Sequence, residues 1–206
     1  VNILILGATG RVGSQIASLA REDGHFVTLF VRSPEKVADP DEQVMIYTGN
    51  VLNQEDIARS MRGVDAVISA LSTDGTTTLS TSMPILIEAM KAEGIKRIVT
   101  IGTAGILQSR DTPQLLRYQS AESKRKSTFA AEEHQAVFDL LQRSDLDWTI
   151  VCPSYLHEGE SRDAYRVERN VLPEGGSAIS IVDTATFAYR QLASTDYRNA
   201  RVGIAY

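Results

Sequence analysis

Short apolar runs rich in Val and Ile alternate along the chain with longer stretches in which apolar residues recur every three or four positions. That alternation predicts a parallel sheet covered on both faces. Strands buried on both sides read as continuous apolar runs, and parallel neighbours need a crossover helix between them. The runs predict strands over Asn2–Leu6, Phe26–Val31, Val44–Tyr47, Ala66–Ser69, Arg97–Ile101 and Trp148–Cys152, with helices over 11–23, 54–62, 79–93 and 127–144. Gly24, Gly63 and Gly94 follow the first three helices, where a left-handed C-terminal cap ends a helix. Beyond Pro153 the pattern shortens: Ala164–Glu168 and Ala178–Ile181 predict short strands, Val182–Ala193 a helix and Arg201–Ala205 a last strand. The expected architecture is a doubly wound α/β domain, with residues 1–152 as its core and 153–206 as an extension that completes the sheet and covers one side of a pocket.

Composition narrows what such a sheet serves. The 206 residues are 43% hydrophobic and 23% charged, enough for one large core, so a single domain over 1–206 is expected. Lys and Arg number 21 against 26 Asp and Glu, and the net charge of -5 supplies no positive field for nucleic acid or an anionic membrane; neither is an expected partner. Cys152 has no second cysteine to pair with, and the chain shows neither a basic-plus-apolar leader nor an apolar run of about 18 residues. A soluble, cytoplasmic chain is expected, as a monomer or small homo-oligomer. His25, His134 and His157 are scattered without metal-ligand spacing, so no metal site is expected.

The strongest motif is Gly7-Ala8-Thr9-Gly10-Arg11-Val12-Gly13, directly after the first predicted strand and opening the first helix. A dinucleotide diphosphate needs backbone N–H groups at a helix N-terminus, a turn free of side chains, and a helix packed closely on its strand. Gly7, Gly10 and Gly13 meet these needs in order, and Thr9, Arg11 and Val12 join them as candidate contacts. The alternative is a purely structural strand-to-helix turn. Placed as it is, the motif predicts a Rossmann-like nucleotide site.

The second strand ends at Val31-Arg32, where a site preferring NAD would carry an acidic residue for the ribose hydroxyls. A guanidinium there grips a 2'-phosphate that a carboxylate would repel, so Arg32, helped by Arg11 and more weakly by Lys36, favours NADP(H). Solvated surface cations are the competing reading. Asn50 and Val51, after the third strand, are candidates for the adenine. Ser69, Ala70 and Leu71, after the fourth, are candidates for the diphosphate and ribose path; both segments also read as loop constraints.

On these residues the chain resembles the NAD(P)H-binding, atypical short-chain dehydrogenase/reductase family, in its biliverdin-IX beta reductase and flavin reductase branch. The likeness runs from Gly7–Gly13 and Val31-Arg32 through Gly49–Val51, Gly63–Ile68, Ile98–Gly105 and Leu146–Pro153 to Tyr165–Val167 and Ile181–Asp183. It implies a Rossmann fold, bound NADPH, and hydride transfer to a flat conjugated acceptor: a flavin such as FMN or FAD, a quinone or a linear tetrapyrrole. It also implies a hydroxyl beside the nicotinamide and substrate at Thr103. Tyr155 falls where the biliverdin reductases carry a His. The loops at the end of strand five, at Thr103, and of strand six, Pro153-Ser154-Tyr155-Leu156, are expected to flank the nicotinamide, with Thr103 and Tyr155 as the candidate catalytic residues. Competing readings are a backbone-satisfied hydroxyl for Thr103 and an ordinary wall aromatic for Tyr155.

One departure is informative. Many short-chain dehydrogenases use Tyr-x-x-x-Lys for proton transfer, but the residue four after Tyr118 is Glu122, so no tyrosine relay is expected. The segment 105–127, with Arg110, Arg117 and Lys124-Arg125-Lys126, reads either as a flap over the substrate or as a solvated face. Cys152 is expected to be a packing thiol. A non-catalytic NADP(H) sensor or scaffold is the alternative function. A nucleotide-sugar epimerase or dehydratase is disfavoured by the missing Lys and the short tail.

Overall fold

A computed structural model describes residues 1–38 and 42–206. Its ten strands are β1 (Asn2–Leu6), β2 (Phe26–Val31), β3 (Val44–Thr48), β4 (Ala66–Ser69), β5 (Arg97–Ile101), β6 (Asp147–Pro153), β7 (Tyr155–His157), β8 (Arg166–Arg169), β9 (Ala178–Ser180) and β10 (Ala200–Ala205). The helices are α1 (Arg11–Glu22), α2 (Gln54–Ser60), α3 (Thr78–Ala92), α4 (Phe129–Arg143) and α5 (Ile181–Arg190). Eight strands form one sheet in the order β3-β2-β1-β4-β5-β6-β10-β8, parallel except for β8, which runs antiparallel to β10. The direction of crossover reverses between β1 and β4, the place where an open sheet of this kind opens a crevice beyond its strand ends.

Alternation along each strand divides the core in two. Ile3 and Ile5 point to the face covered by α1 and α5, where Ile16, Ala20, Ala185 and Ala188 pack. Leu4 and Leu6 point to the other face, against Ile57 of α2, Met83 and Leu86 of α3, and Val137 and Leu141 of α4. Helix ends follow local chemistry. Asn53 accepts hydrogen bonds from the backbone of Glu55 and Asp56 at the start of α2, and Ser180 accepts one from Asp183 at the start of α5.

The sheet and the helices between its first six strands follow the apolar pattern, and β9, α5 and β10 form within three residues of where it places them; the departures are at β7 and β8. The strand expected over 164–168 forms at Arg166–Arg169 instead, as an edge whose polar residues tolerate exposure. The three-residue β7, too short to show a period of two, pairs with β9 in a separate two-stranded sheet. The start of the segment 105–127 packs against β6 and β10, and Lys124-Arg125-Lys126 at its far end is exposed. Ile106 and Leu107 are fully buried, and the Gln108 N–H donates to Asn170 O at 2.8 Å. Two of its arginines are engaged: Arg110 bonds the Leu172 carbonyl and Glu168, and Arg117 pairs with Glu122 at 2.7 Å. Cys152 is buried in this core, and burial pushes its thiol pKa up to about 12.

Candidate functional site

The β1–α1 turn is shaped by contacts that only glycine permits. Gly7 has a φ of +76°, and a side chain there would sit 2.5 Å from the Ala70 carbonyl oxygen. A Cβ on Gly13 would lie 2.2 Å from the Gly7 carbonyl oxygen, so this glycine sets how closely α1 packs on the strand. No side chain caps α1, and its first turn holds no acidic residue. The helix therefore presents its unsatisfied N–H groups and positive dipole end to the space beyond the strands.

That space is a cleft of about 670 Å³. Of the residues named from sequence, Gly7, Thr9, Gly10, Arg11, Val12, Arg32, Asn50, Val51, Ala70 and Leu71 line it. Gly13 and Ser69 stand behind the wall, buried. Leu156, from the loop expected to flank the nicotinamide, lines the cleft too, and lining residues that sequence reasoning missed include Phe30, Ser72, Asp74, Thr78, Ile101 and His134. Phe30 stacks on Tyr47 at 5.5 Å between ring centres, giving the β2 end of the cleft an aromatic floor.

Both arginines face a carboxylate. Arg32 lies 3.6 Å from Asp74, and Arg11 lies 3.8 Å from Glu158; all four side chains are largely exposed. Asp74 adopts φ +48° and accepts a 2.6 Å hydrogen bond from Ser72. Glu158 belongs to the loop after β7, which a buried carboxylate anchors. Asp183 accepts hydrogen bonds from Ser161 Oγ and Tyr206 OH at 2.5 Å and from the Arg162 N–H at 3.0 Å. Burial works against its ionisation, but these bonds, led by Ser161 and Tyr206, outweigh it and hold the carboxyl below its usual range. Asn50 is partly committed, its side-chain oxygen accepting from the Leu52 N–H at 2.9 Å.

The end of the cleft where the nicotinamide is expected differs from expectation. Thr103, Pro153, Ser154 and Tyr155 do not line the cleft. Thr103 Oγ1 accepts a 3.5 Å bond from the Gly105 N–H, leaving Gly102 at the wall. Tyr155 is 66% exposed because alternation along β7 turns Leu156 into the cleft and its neighbours away. Pro153 is buried, and Ser154 Oγ is buried with no hydrogen-bond partner among the described residues. Tyr118 is tied to α4 through a hydrogen bond from its hydroxyl to Gln135, away from the cleft.

His134 of α4 is a titratable side chain that does reach this end of the cleft, beside Thr78. The preceding Glu133 is buried and fixes α4 against the start of α3, accepting from Ser80 N at 3.0 Å and Ser80 Oγ at 2.9 Å. Burial pushes the His134 pKa down to about 4, against a smaller opposing pull from Glu133, so the ring is neutral at pH 7.

Comparison with known proteins gives the chain a family and a fold. The family model described as NAD(P)H-binding matches residues 7–195. The chain is 27% identical, over an alignment of 216 residues, to the uncharacterized protein YwnB of Bacillus subtilis, covering 98% of this chain and 96% of that one. Among solved structures, a Bacteroides thetaiotaomicron protein provisionally named an epimerase superposes with a TM-score of 0.86 at 26% identity, covering 100% and 96% of the two chains. A Streptococcus pneumoniae protein provisionally named an NADH-flavin reductase superposes with a TM-score of 0.82 at 22% identity, covering 99% and 98%.

Proposed function

The chain belongs to the NAD(P)H-binding family, and from that we propose that it is an NADPH-dependent oxidoreductase acting on a flat, conjugated acceptor such as a flavin, a quinone or a tetrapyrrole-like molecule. The observation that carries the reading is the uncapped start of α1 beside the Gly7–Gly13 turn, opening on a cleft that also holds Arg32. The residues present fit the coenzyme. Gly7 and Gly13 leave the room a diphosphate and its helix need, the N–H groups of α1 meet the phosphate oxygens, and Arg32 with Arg11 takes the 2'-phosphate. Bound NADPH supplies the hydride; the protein orients the reacting faces and excludes water from them. Leu71, Ile101 and Leu156 give the far end an apolar wall suited to a planar ring. Thr103 and Tyr155 remain candidates for contacts made once an acceptor is in place.

The decisive experiment follows NADPH absorbance with FMN, FAD, menadione and biliverdin as acceptors. Turnover with any of them is expected. A second reading, a non-catalytic NADP(H) sensor, draws on the Arg11–Glu158 pair, through which diphosphate binding would act on the 158–165 loop. Tight NADPH binding without turnover across the panel would favour it, and binding of neither NADPH nor NADH would remove both readings.

A further inference from the structure

The cleft is polarised along its length. Its charged lining residues, Arg11, Arg32 and Asp74, belong to the β1–α1 turn, the end of β2 and the loop after β4. From β2 to β5 the sheet order β2-β1-β4-β5 spans three strand spacings, roughly 14 Å. A dinucleotide with its phosphates at Arg32 and α1 therefore brings its reactive half over the ends of β4 and β5, where Ile101, Gly102 and Thr78 line the cleft. His134 lines that end too, held by the Glu133–Ser80 contacts that lock α4 to α3. Among the described residues its imidazole has no hydrogen-bond partner in the protein.

Resting on the reductase reading, we propose that His134 is the catalytic residue that receives the acceptor, donating a ring N–H to the carbonyl oxygen or ring nitrogen on which negative charge collects as hydride arrives. Two electrons and a proton pass together as hydride from NADPH to the acceptor, leaving NADP⁺, and a proton from water then neutralises the charged heteroatom. The imidazole keeps its own proton throughout. Its neutrality suits that role, because an uncharged donor stabilises developing charge without attracting a competing anion to the site. The acceptor class follows: the reacting edge is an uncharged conjugated carbonyl or imine, and any carboxylate or phosphate on the molecule stays outside this end of the cleft.

The test uses wild type, His134→Leu and His134→Gln with NADPH as donor and menadione as probe. NADPH affinity by calorimetry is expected to stay within about threefold in both variants. Hydride transfer at saturating NADPH should fall about 100-fold in His134→Leu, the scale for losing one such donor, and recover to within about tenfold of wild type in His134→Gln, which restores an N–H. Wild-type rates in His134→Leu would overturn the assignment alone. So would a large loss of NADPH affinity with an unchanged rate, which would make His134 a coenzyme contact. Wild type that binds NADPH but reduces no acceptor would overturn the reductase reading and this assignment together. A readout independent of turnover, and of whether His134→Leu folds, is the His134 ring nitrogen resonance in wild type. Adding menadione to the unreactive NADP⁺ complex should shift it, and no shift would refute the contact.

Discussion

At one end of the cleft, seven consecutive residues, Gly7–Gly13, supply the turn, the helix start and the close helix–strand contact. At the other end, Ile101 comes from β5 and Gly102 directly follows it, His134 comes from α4 and Leu156 from β7, segments brought together only by the sheet and its helices. The first end is made of backbone, and its chemistry is fixed by which side chains are missing. The second is made of side chains, and its chemistry depends on tertiary packing. At the first end even a methyl group on Gly7 or Gly13 would clash with backbone, while the second can be rebuilt by substituting single residues on intact elements.

Substitutions can break or sharpen that contrast. The largest effect is expected for Gly13→Ala, whose methyl would meet the Gly7 carbonyl at 2.2 Å. Thermal unfolding should show a loss of about 3 kcal/mol, and calorimetry a loss of NADPH binding; a wild-type melting curve with intact binding would show that the helix–strand contact is not critical. Next is Asp183→Ala, which strands the donors of Ser161, Arg162 and Tyr206 and should cost about 3 kcal/mol by urea denaturation. It should also expose the 158–165 loop to limited proteolysis while sparing the glycine turn.

Acid tests the acceptor end through His134. Its folded pKa of about 4 lies below the ordinary 6.5, so between those values the unfolded chain binds more protons and stability falls as pH falls. Full stability from this group is present above pH 6.5 and is lost as pH drops towards 4. Going from pH 7 to pH 5 should cost about 2 kcal/mol, and the comparison of wild type with His134→Gln isolates that part. At the coenzyme end, Arg32→Ala should weaken NADPH binding by about tenfold while leaving NADH binding nearly unchanged; an unchanged ratio would remove Arg32 from the site. The smallest effect is expected for Asp74→Asn, which frees Arg32 from its 3.6 Å partner. NADPH affinity should rise by about two- to threefold, the scale of an exposed ion pair.

What the sequence disclosed follows the same division. The glycine turn, Arg32 and the first six strands were legible because each is encoded locally, by spacing or by a run of apolar residues. The loop holding Tyr155 and Leu156 was placed at the cleft, but Tyr155 rather than Leu156 was expected to face it, because three residues of strand are too few to reveal which side faces in. His134 carried no signal, since a lone histidine within a helix pattern becomes informative only when the helix is seen against α3 and the end of β5. Asp74 was hidden for a different reason: its approach to Arg32 depends on a left-handed turn conformation at an aspartate, which the residue type permits without dictating.

The sole tryptophan, Trp148, lies near the start of β6, 5% exposed and edge-on to Phe138 at 5.8 Å. Five residues of strand, roughly 17 Å, separate it from the end of β6 on the cleft side. Its fluorescence should consequently be blue-shifted in the native protein and move to the red only on global unfolding. Reduced nicotinamide absorbs where indole emits, so a coenzyme in the cleft would also draw off that emission by resonance transfer. A single native chromophore thus offers a label-free optical report on both unfolding and occupancy, distinguishable because one changes the colour and the other the intensity.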